Sequence, residues 1–385
     1  MTQAATGLST RSNSVDAAAE ASRRALSQLE SPPDFCVAFL TTDHGSEVEA
    51  VLQTLAEATR TPYVVGCSAA GVLAEGREVE SEPAVAVLAV CSERVRATPF
   101  LFADDGDQGL SAGLRVGQRL AASRNSEDLV LVWPDPYRIR PDCLLQGIDA
   151  TLGHVPVAGA AASARRPGNG TFQFSGSEAG QGAVSGVRLG GEFRCRVAVT
   201  QGCRPLGAPV LVTRSHENLI LEVDGRPALE VLRERVPPAL LADPGWSRDR
   251  VFVGLYPDDG GDDYLVRNIL DTDPDTGVLA VADVTEEGQR IVFTLREAGA
   301  AREDTARMLR RVSQDSTNDV RFGFYFNCLA RGRSLYREDG VDASLIRAAL
   351  PDVPLIGLFG NCEIAPVGGT NRILTYTGVL VLVSD

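Results

Sequence analysis

The sequence predicts a mixed α/β protein of two related halves, with sheets packed together at the centre and helices outside. Three observations predict it. A strand–helix–strand phrase occurs three times, many short apolar runs are separated by turn residues as in hairpins, and apolar content is an ordinary 44%. Each phrase supplies a local parallel pair and the hairpins supply antiparallel ones, so a purely doubly wound sheet is not expected.

Residues 1–30 read as a tail with a helix. The first 14 are rich in Ser and Thr, and Val15 to Leu29 form an amphipathic stretch carrying Arg23 and Arg24. It lacks the apolar centre of a secretory signal, and no apolar run in the chain approaches the roughly 18 residues that span a bilayer. A cytoplasmic location is expected.

The first repeat runs from the strand Phe35–Leu40 to the turn Thr41-Thr42-Asp43-His44. Ser46 and Glu49 form a capping box, and Val48, Val51, Leu52 and Leu55 form a helical stripe. The strand Tyr63–Val65 then ends in Gly66-Cys67-Ser68-Ala69-Ala70-Gly71. Pro83–Val90 and Arg94–Phe102 read as a hairpin, followed by a helix with Leu110, Leu114, Gly117 and Leu120 on one face.

The second repeat is the strand Leu129–Trp133, a helix striped by Leu144, Leu145, Ile148 and Leu152, and the strand Pro156–Gly159. The Gly-rich stretch Gly168–Gly191 suggests hairpins whose backbones approach closely, and Phe193–Thr200 is a further strand.

A composition shift near Gly225–Pro227 is the expected domain boundary, giving domains 31–225 and 226–385. On either side lie the hairpin Val210–Arg214 with Asn218–Gly225, and the short helix Ala228–Val236. Beyond it, strands Val251–Tyr256 and Tyr264–Leu270 flank the acidic turn Asp258–Asp263, more readily a hairpin tip than a calcium site. Asp271–Gly277 fails as an EF-hand, because the glycine is one position late and Ala282 stands where the bidentate glutamate belongs. Strand Gln289–Leu295 and a helix marked by Ala301, Thr305, Met308, Leu309 and Val312 complete this region.

The third repeat begins with the strand Phe322–Phe326 and the turn Asn327–Gly332. Asp342 is the expected N-cap of a helix whose face carries Val341, Leu345, Ile346, Ala349 and Leu350. Strand Leu355–Phe359 follows and ends in Gly360-Asn361-Cys362-Glu363.

Composition narrows the function. A net charge of -14 and a pI near 4.8 argue against nucleic acid or an anionic membrane as partner. There is no lysine, so all 37 basic residues are arginine, which removes Schiff-base chemistry, a pyridoxal anchor and a Walker-type loop. Any anion is held by arginine or backbone amides. The eight cysteines include no Cys-x-x-Cys pair and the three histidines are scattered, so neither a metal nor a disulfide framework is expected, and no cofactor.

Strung along residues 30 to 385, Gly66–Gly71, Gln201–Pro205, Asp224–Leu229, Val266–Leu270, Cys328–Gly332 and Gly360–Pro366 resemble, in order, the signatures of the FIST family. The resemblance implies a small-ligand-binding signalling domain of the kind that senses amino acids upstream of a kinase, cyclase or chemotaxis output. This chain has Cys362 where the family pattern has glycine before the glutamate. No output segment is recognisable, so the expected signal passes to a partner protein in trans.

The expected binding site lies at the carboxyl ends of the repeat strands. Arg331 would grip a carboxylate and Glu363 an ammonium, as suits an amino-acid-like zwitterion or a small carboxylate. Gly66, Cys67 and Ser68 would offer amides and a hydroxyl, and Cys328, Gly332, Gly360 and Asn361 complete the turns. The alternative is that Arg331 and Glu363 pair with each other. Two other classes stay open: a cysteine-dependent enzyme using Cys67 or Cys328, and an interaction scaffold with a vestigial pocket. A homodimer is compatible with the apolar strand ends.

Overall fold

The computed structural model describes residues 1–121, 128–166, 170–242, 249–257, 261, 263–314 and 319–385. Most of the acidic turn weighed as a calcium site falls outside them. Contacts divide the chain into two compact units. The first comprises Met1–Thr200, Thr305–Ile373 and Thr377–Asp385; the second comprises Gln201–Asp304 and Leu374–Tyr376.

The first unit is a threefold repeat. Each copy runs edge strand, helix, strand, helix, parallel strand, hairpin, returning strand. In the first copy these are Gln3–Ser9, Ser14–Leu26, Phe35–Thr41, Val48–Thr59, Val64–Ala69, the hairpin Val72–Ala74/Arg77–Val79, and Val85–Cys91. The second copy has Val95–Ala103, Leu110–Ala121, Leu129–Pro134, Pro141–Leu152, Val157–Ala160, the hairpin Gln173–Ser175/Glu178–Gly180, and Ala183–Gly191. The third has Arg194–Gln201, Ala298–Gln314, Val320–Cys328, Val341–Ala349, Leu355–Gly360, the hairpin Glu363–Val367/Thr370–Leu374, and Thr377–Ser384. The expected strand–helix–strand phrases are the centres of these copies, and all three strand pairs are parallel.

Each copy builds one six-stranded sheet around its parallel pair, but the hairpins are exchanged in a ring. The first copy's hairpin joins the third sheet, the third copy's joins the second, and the second copy's joins the first. A pair of helices covers each sheet. In the first, Ala21 and Leu55 pack on Val87; in the second, Val116 and Ile148 pack on Val132; in the third, Met308 and Ile346 pack on Leu380.

One glycine recurs at the same point of every parallel pair. Gly66 faces Ala38, Gly159 faces Val132 and Gly357 faces Tyr325. A Cβ there would lie 1.8, 2.0 and 2.0 Å from the facing carbonyl oxygen, so the chains approach too closely for any other residue.

The second unit interrupts the third copy between its edge strand and its first helix. Val210–His216, Leu219–Val223, Val278–Val281, Leu265–Asp273, Val251–Leu255 and Arg290–Arg296 pair in that order, and the last pairs again with the first. The result is a closed antiparallel ring, with the short strands Cys203–Pro205 and Arg226–Pro227 added at its margins. Val212, Ile220, Val253 and Phe293 fill it, with Leu229 and Leu232 of the helix Ala228–Arg235 packed against them.

Three local expectations are corrected. Pro83–Val90 and Arg94–Phe102 do not form a hairpin. The strand Val85–Cys91 is held between Gln3–Ser9 and Phe35–Thr41, while Val95–Ala103 pairs with Ala183–Gly191 in the next sheet. The Ser46/Glu49 capping box does not form, because Thr42–Glu47 tightens into a 3-10 turn and the helix starts at Val48 without a side-chain cap. Nor is Asp342 an N-cap: Gly340 holds that place with φ 70°, and the Asp342 side chain turns inward.

Gly357→Ala should therefore lower stability by roughly 1–3 kcal/mol through a forced backbone shift. Gly299→Ala, in the helix Ala298–Gln314 with open space at its Cβ, should raise it by about 0.5–1 kcal/mol. Urea unfolding midpoints of the two variants check the opposite signs.

Candidate functional site

A fully buried guanidinium organises the carboxyl ends of the third copy's strands. Arg331 follows the strand Val320–Cys328, and a helix opens directly after it at Gly332, whose φ of 52° turns the chain. A Cβ on Gly332 would meet the Glu80 carboxylate at 2.5 Å and the Phe359 ring at 2.6 Å, so this turn is packed against the first copy's hairpin.

The partner of Arg331 is Asp342, not Glu363. Arg331 Nε donates to Asp342 Oδ2 at 3.2 Å, and Nη2 reaches both carboxylate oxygens at 3.2 Å. Nη2 also donates to Thr305 Oγ1 at 2.9 Å and to the Tyr336 hydroxyl at 2.8 Å. Tyr336 passes the network on, donating to Asp342 Oδ1 at 2.8 Å. Tyr325 and Asn327 Nδ2 donate to Asp342 Oδ2 at 3.2 and 3.1 Å. Arg331 and Asp342 are both 0% exposed, so a charge pair is buried with nearly every lone pair of the carboxylate used. Burial opposes the arginine's charge, Asp342 more than restores it, and the guanidinium stays protonated.

Glu78 ties the first copy's hairpin to this network. Its Oε1 accepts from the Ala343 amide at 2.8 Å, at the start of the helix that carries Asp342, and Glu80 accepts from the Arg333 amide at 2.9 Å. Two acids at the end of the first copy's hairpin thus take amides at the starts of two helices. Burial, reinforced by Asp342, pushes the Glu78 carboxyl up to about 8.

Glu363 is buried beside this network. Its Oε2 accepts from Thr377 Oγ1 at 2.8 Å and from the Thr377 amide at 3.3 Å, and the Cys328 thiol approaches it. Burial raises it to about 8 despite those hydrogen bonds and the field of Arg331. Of the residues expected at the site, Cys328, Arg331, Gly332 and Glu363 are therefore brought together.

The remaining expected residues are placed differently. Gly360 is buried and close to Ala160, and the Asn361 amide donates to Ala161 while its side chain is exposed. Ser68 is committed to Phe172 through both its amide and its hydroxyl, each at 2.8 Å, and the Gly66 carbonyl accepts from Ser185. The expected anion-binding amides of Gly66–Ser68 are thus spent on the sheet. The Cys67 thiol is fully buried and pushed well above the usual thiol range, which withholds the thiolate a nucleophile needs.

Sequence reasoning missed the acids that complete the cluster. Asp342 was assigned to a cap and Glu78 had no assignment, because their partners are 11 and 265 residues away. It also missed Ser163, whose hydroxyl accepts from the Ala70 amide and donates to the Phe359 carbonyl, tying the strand ends of all three copies.

Comparison with known proteins now decides the family. The FIST N domain matches residues 34–226 and the FIST C domain matches residues 228–366. The chain belongs to the FIST family. FIST domains are signal-transduction sensor domains. Uncharacterized proteins of Mycobacterium tuberculosis are 31% identical over 98% of this chain and 99% of their own length. The human F-box only protein 22 is 46% identical over 59 residues, 15% of this chain and 14% of that protein. Among solved structures, cyanuric acid hydrolase from A. caulinodans is similar at TM-score 0.39 and 8% identity, over 100% of this chain and 99% of that one. No described helix of this FIST protein is long and apolar enough to cross a membrane.

The buried acids set the pH dependence. With the unfolded carboxyl near 4.3 and folded values of about 8 for Glu78 and Glu363, the folded state holds protons that the unfolded chain has released. That stabilisation is complete below the unfolded value and is lost as pH rises through the folded one. The melting temperature should fall steadily from pH 5 to 8.5, and Glu78→Gln/Glu363→Gln should flatten the slope.

Proposed function

We propose that this FIST protein is a non-enzymatic sensor that binds an amino-acid-like molecule or small carboxylate at the buried polar cluster and passes the signal to a partner protein in trans. One observation carries the reading. Arg331 Nη1, Asn327 Oδ1, Glu78 Oε2 and Glu363 Oε1 are buried in one neighbourhood, each without a nitrogen or oxygen partner among the described residues. Buried polar atoms in that condition are costly, and a ligand supplying both acceptors and donors relieves them.

The chemistry of those atoms fits a zwitterion. Nη1 is a donor on a permanent cation and can donate to a ligand carboxylate without disturbing the Asp342 contacts on the other edge of the guanidinium. Glu363, held protonated by burial in the free protein, ionises when an ammonium group arrives. Binding of such a ligand then releases a proton. The signal leaves through the helix Val341–Ala349, because Asp342 lies in its first turn.

A thermal-shift screen of amino acids and small carboxylates tests the proposal. At least one compound should raise the melting temperature of the wild type, and Glu363→Gln should fold while losing that response. If nothing in the panel stabilises the protein, or if Glu363→Gln responds as the wild type does, the reading falls and an interaction scaffold is favoured.

A further inference from the structure

The first unit contains a concavity apart from the buried polar cluster. A hollow of about 420 Å³ opens at the amino end of the strand Leu355–Gly360, and none of the residues expected at the binding site lines it. Its apolar wall comes from Leu73, Ile346, Leu350 and Leu355. Its lining carries three ionic groups, Glu75, Arg347 and Asp352. The volume falls within the roughly 300–1,000 Å³ of small-molecule sites, and an apolar wall with a few polar groups is their usual lining.

The charges at the rim are unequally available. Glu75, also in the lining, is occupied by Arg24, whose Nε lies 3.0 Å from Glu75 Oε1. Gln28 is likewise occupied, its amide donating to the carbonyls of Thr6 and Arg24. Arg347 has no hydrogen bond or ion pair among the described residues. Its stem lies across Gly76, where a Cβ would come within 2.7 Å of its Cδ, so the side chain is laid along the hollow by packing and not by a counter-ion. An exposed planar donor fork with no acceptor among the described residues, beside an aliphatic wall, is matched by a carboxylate attached to a hydrocarbon body.

We infer that this hollow is a binding site for a small amphipathic carboxylate, with its carboxylate on Arg347 and its hydrocarbon part against Ile346, Leu350 and Leu73. The site lies beside the buried cluster, since Ala343 in its lining is the residue whose amide Glu78 holds. It shares one element with it, because Ile346 and Arg347 stand on the same helix as Asp342. Occupation of the hollow therefore bears on the helix through which the buried cluster is held.

Ligand-observed NMR and calorimetric titration with hexanoate, 3-phenylpropionate and hexylamine decide the matter. The two carboxylates should bind saturably and hexylamine should not. Arg347→Glu, at an exposed position, should weaken carboxylate binding at least tenfold with an unchanged far-UV CD spectrum, and Val353→Trp, which fills the hollow, should weaken it as much. Glu363→Gln should leave this binding intact, so the two sites stand or fall separately. Absence of saturable carboxylate binding, preference for hexylamine, or undiminished binding in Arg347→Glu would overturn the assignment.

Discussion

A guanidinium cannot be taken wholly out of water unless a carboxylate goes with it, and most of the first unit's architecture around the site serves that requirement at Arg331. The Asp342 carboxylate must come inward, which fixes the start of the helix Val341–Ala349. Tyr325 and Asn327 must point the same way from the preceding strand, and Thr305 must reach across from the helix Ala298–Gln314. The first copy's hairpin then closes the arrangement, since Glu78 holds the Ala343 amide. Strand, two helices and a distant hairpin are thus placed by one buried charge.

The ring exchange of hairpins gives this cluster its reach. Each sheet is finished by strands from another copy, so no copy can bury its apolar face alone. The hairpin Val72–Val79 lies some 250 residues before the helices that Glu78 and Glu80 serve. The same exchange accounts for residues 305–373 packing with the first 200 residues, although the FIST C domain begins at 228. The inserted barrel closes its own edges, which lets it interrupt the third copy without competing for strands.

Local periodicity was readable in the sequence, and pairing over distance was not. The three strand–helix–strand phrases are legible because their apolar stripes and Pro/Gly punctuation are local, and the helices Val48–Thr59, Pro141–Leu152 and Val341–Ala349 lie where those stripes put them. Arg331 and Glu363 stood out as charged residues on strand-end turns, and both are buried there. Their partners were not legible. Asp342 looks like an N-cap by position, but the field of a buried arginine outweighs capping, and Gly340 can take the left-handed cap conformation instead. Ser68 looks like a ligand donor until the strand Gln173–Ser175 arrives from the next copy and Phe172 takes both of its hydrogen bonds. In the second case the outcome was decided by a residue whose proximity follows from the hairpin exchange, and in the first by a turn that brings Arg331 back onto the helix 11 residues further on.

The dependence of this region on one neutralised charge is most directly measured by a double-mutant cycle on Arg331 and Asp342, followed by urea unfolding. Arg331→Met and Asp342→Asn should each cost on the order of 3–5 kcal/mol, because each strands a buried group. The double variant should be less destabilised than the sum of the singles by at least ~2 kcal/mol. Additive losses would contradict the account, showing that the two groups are buried for separate reasons and that the pair is not what holds the site together.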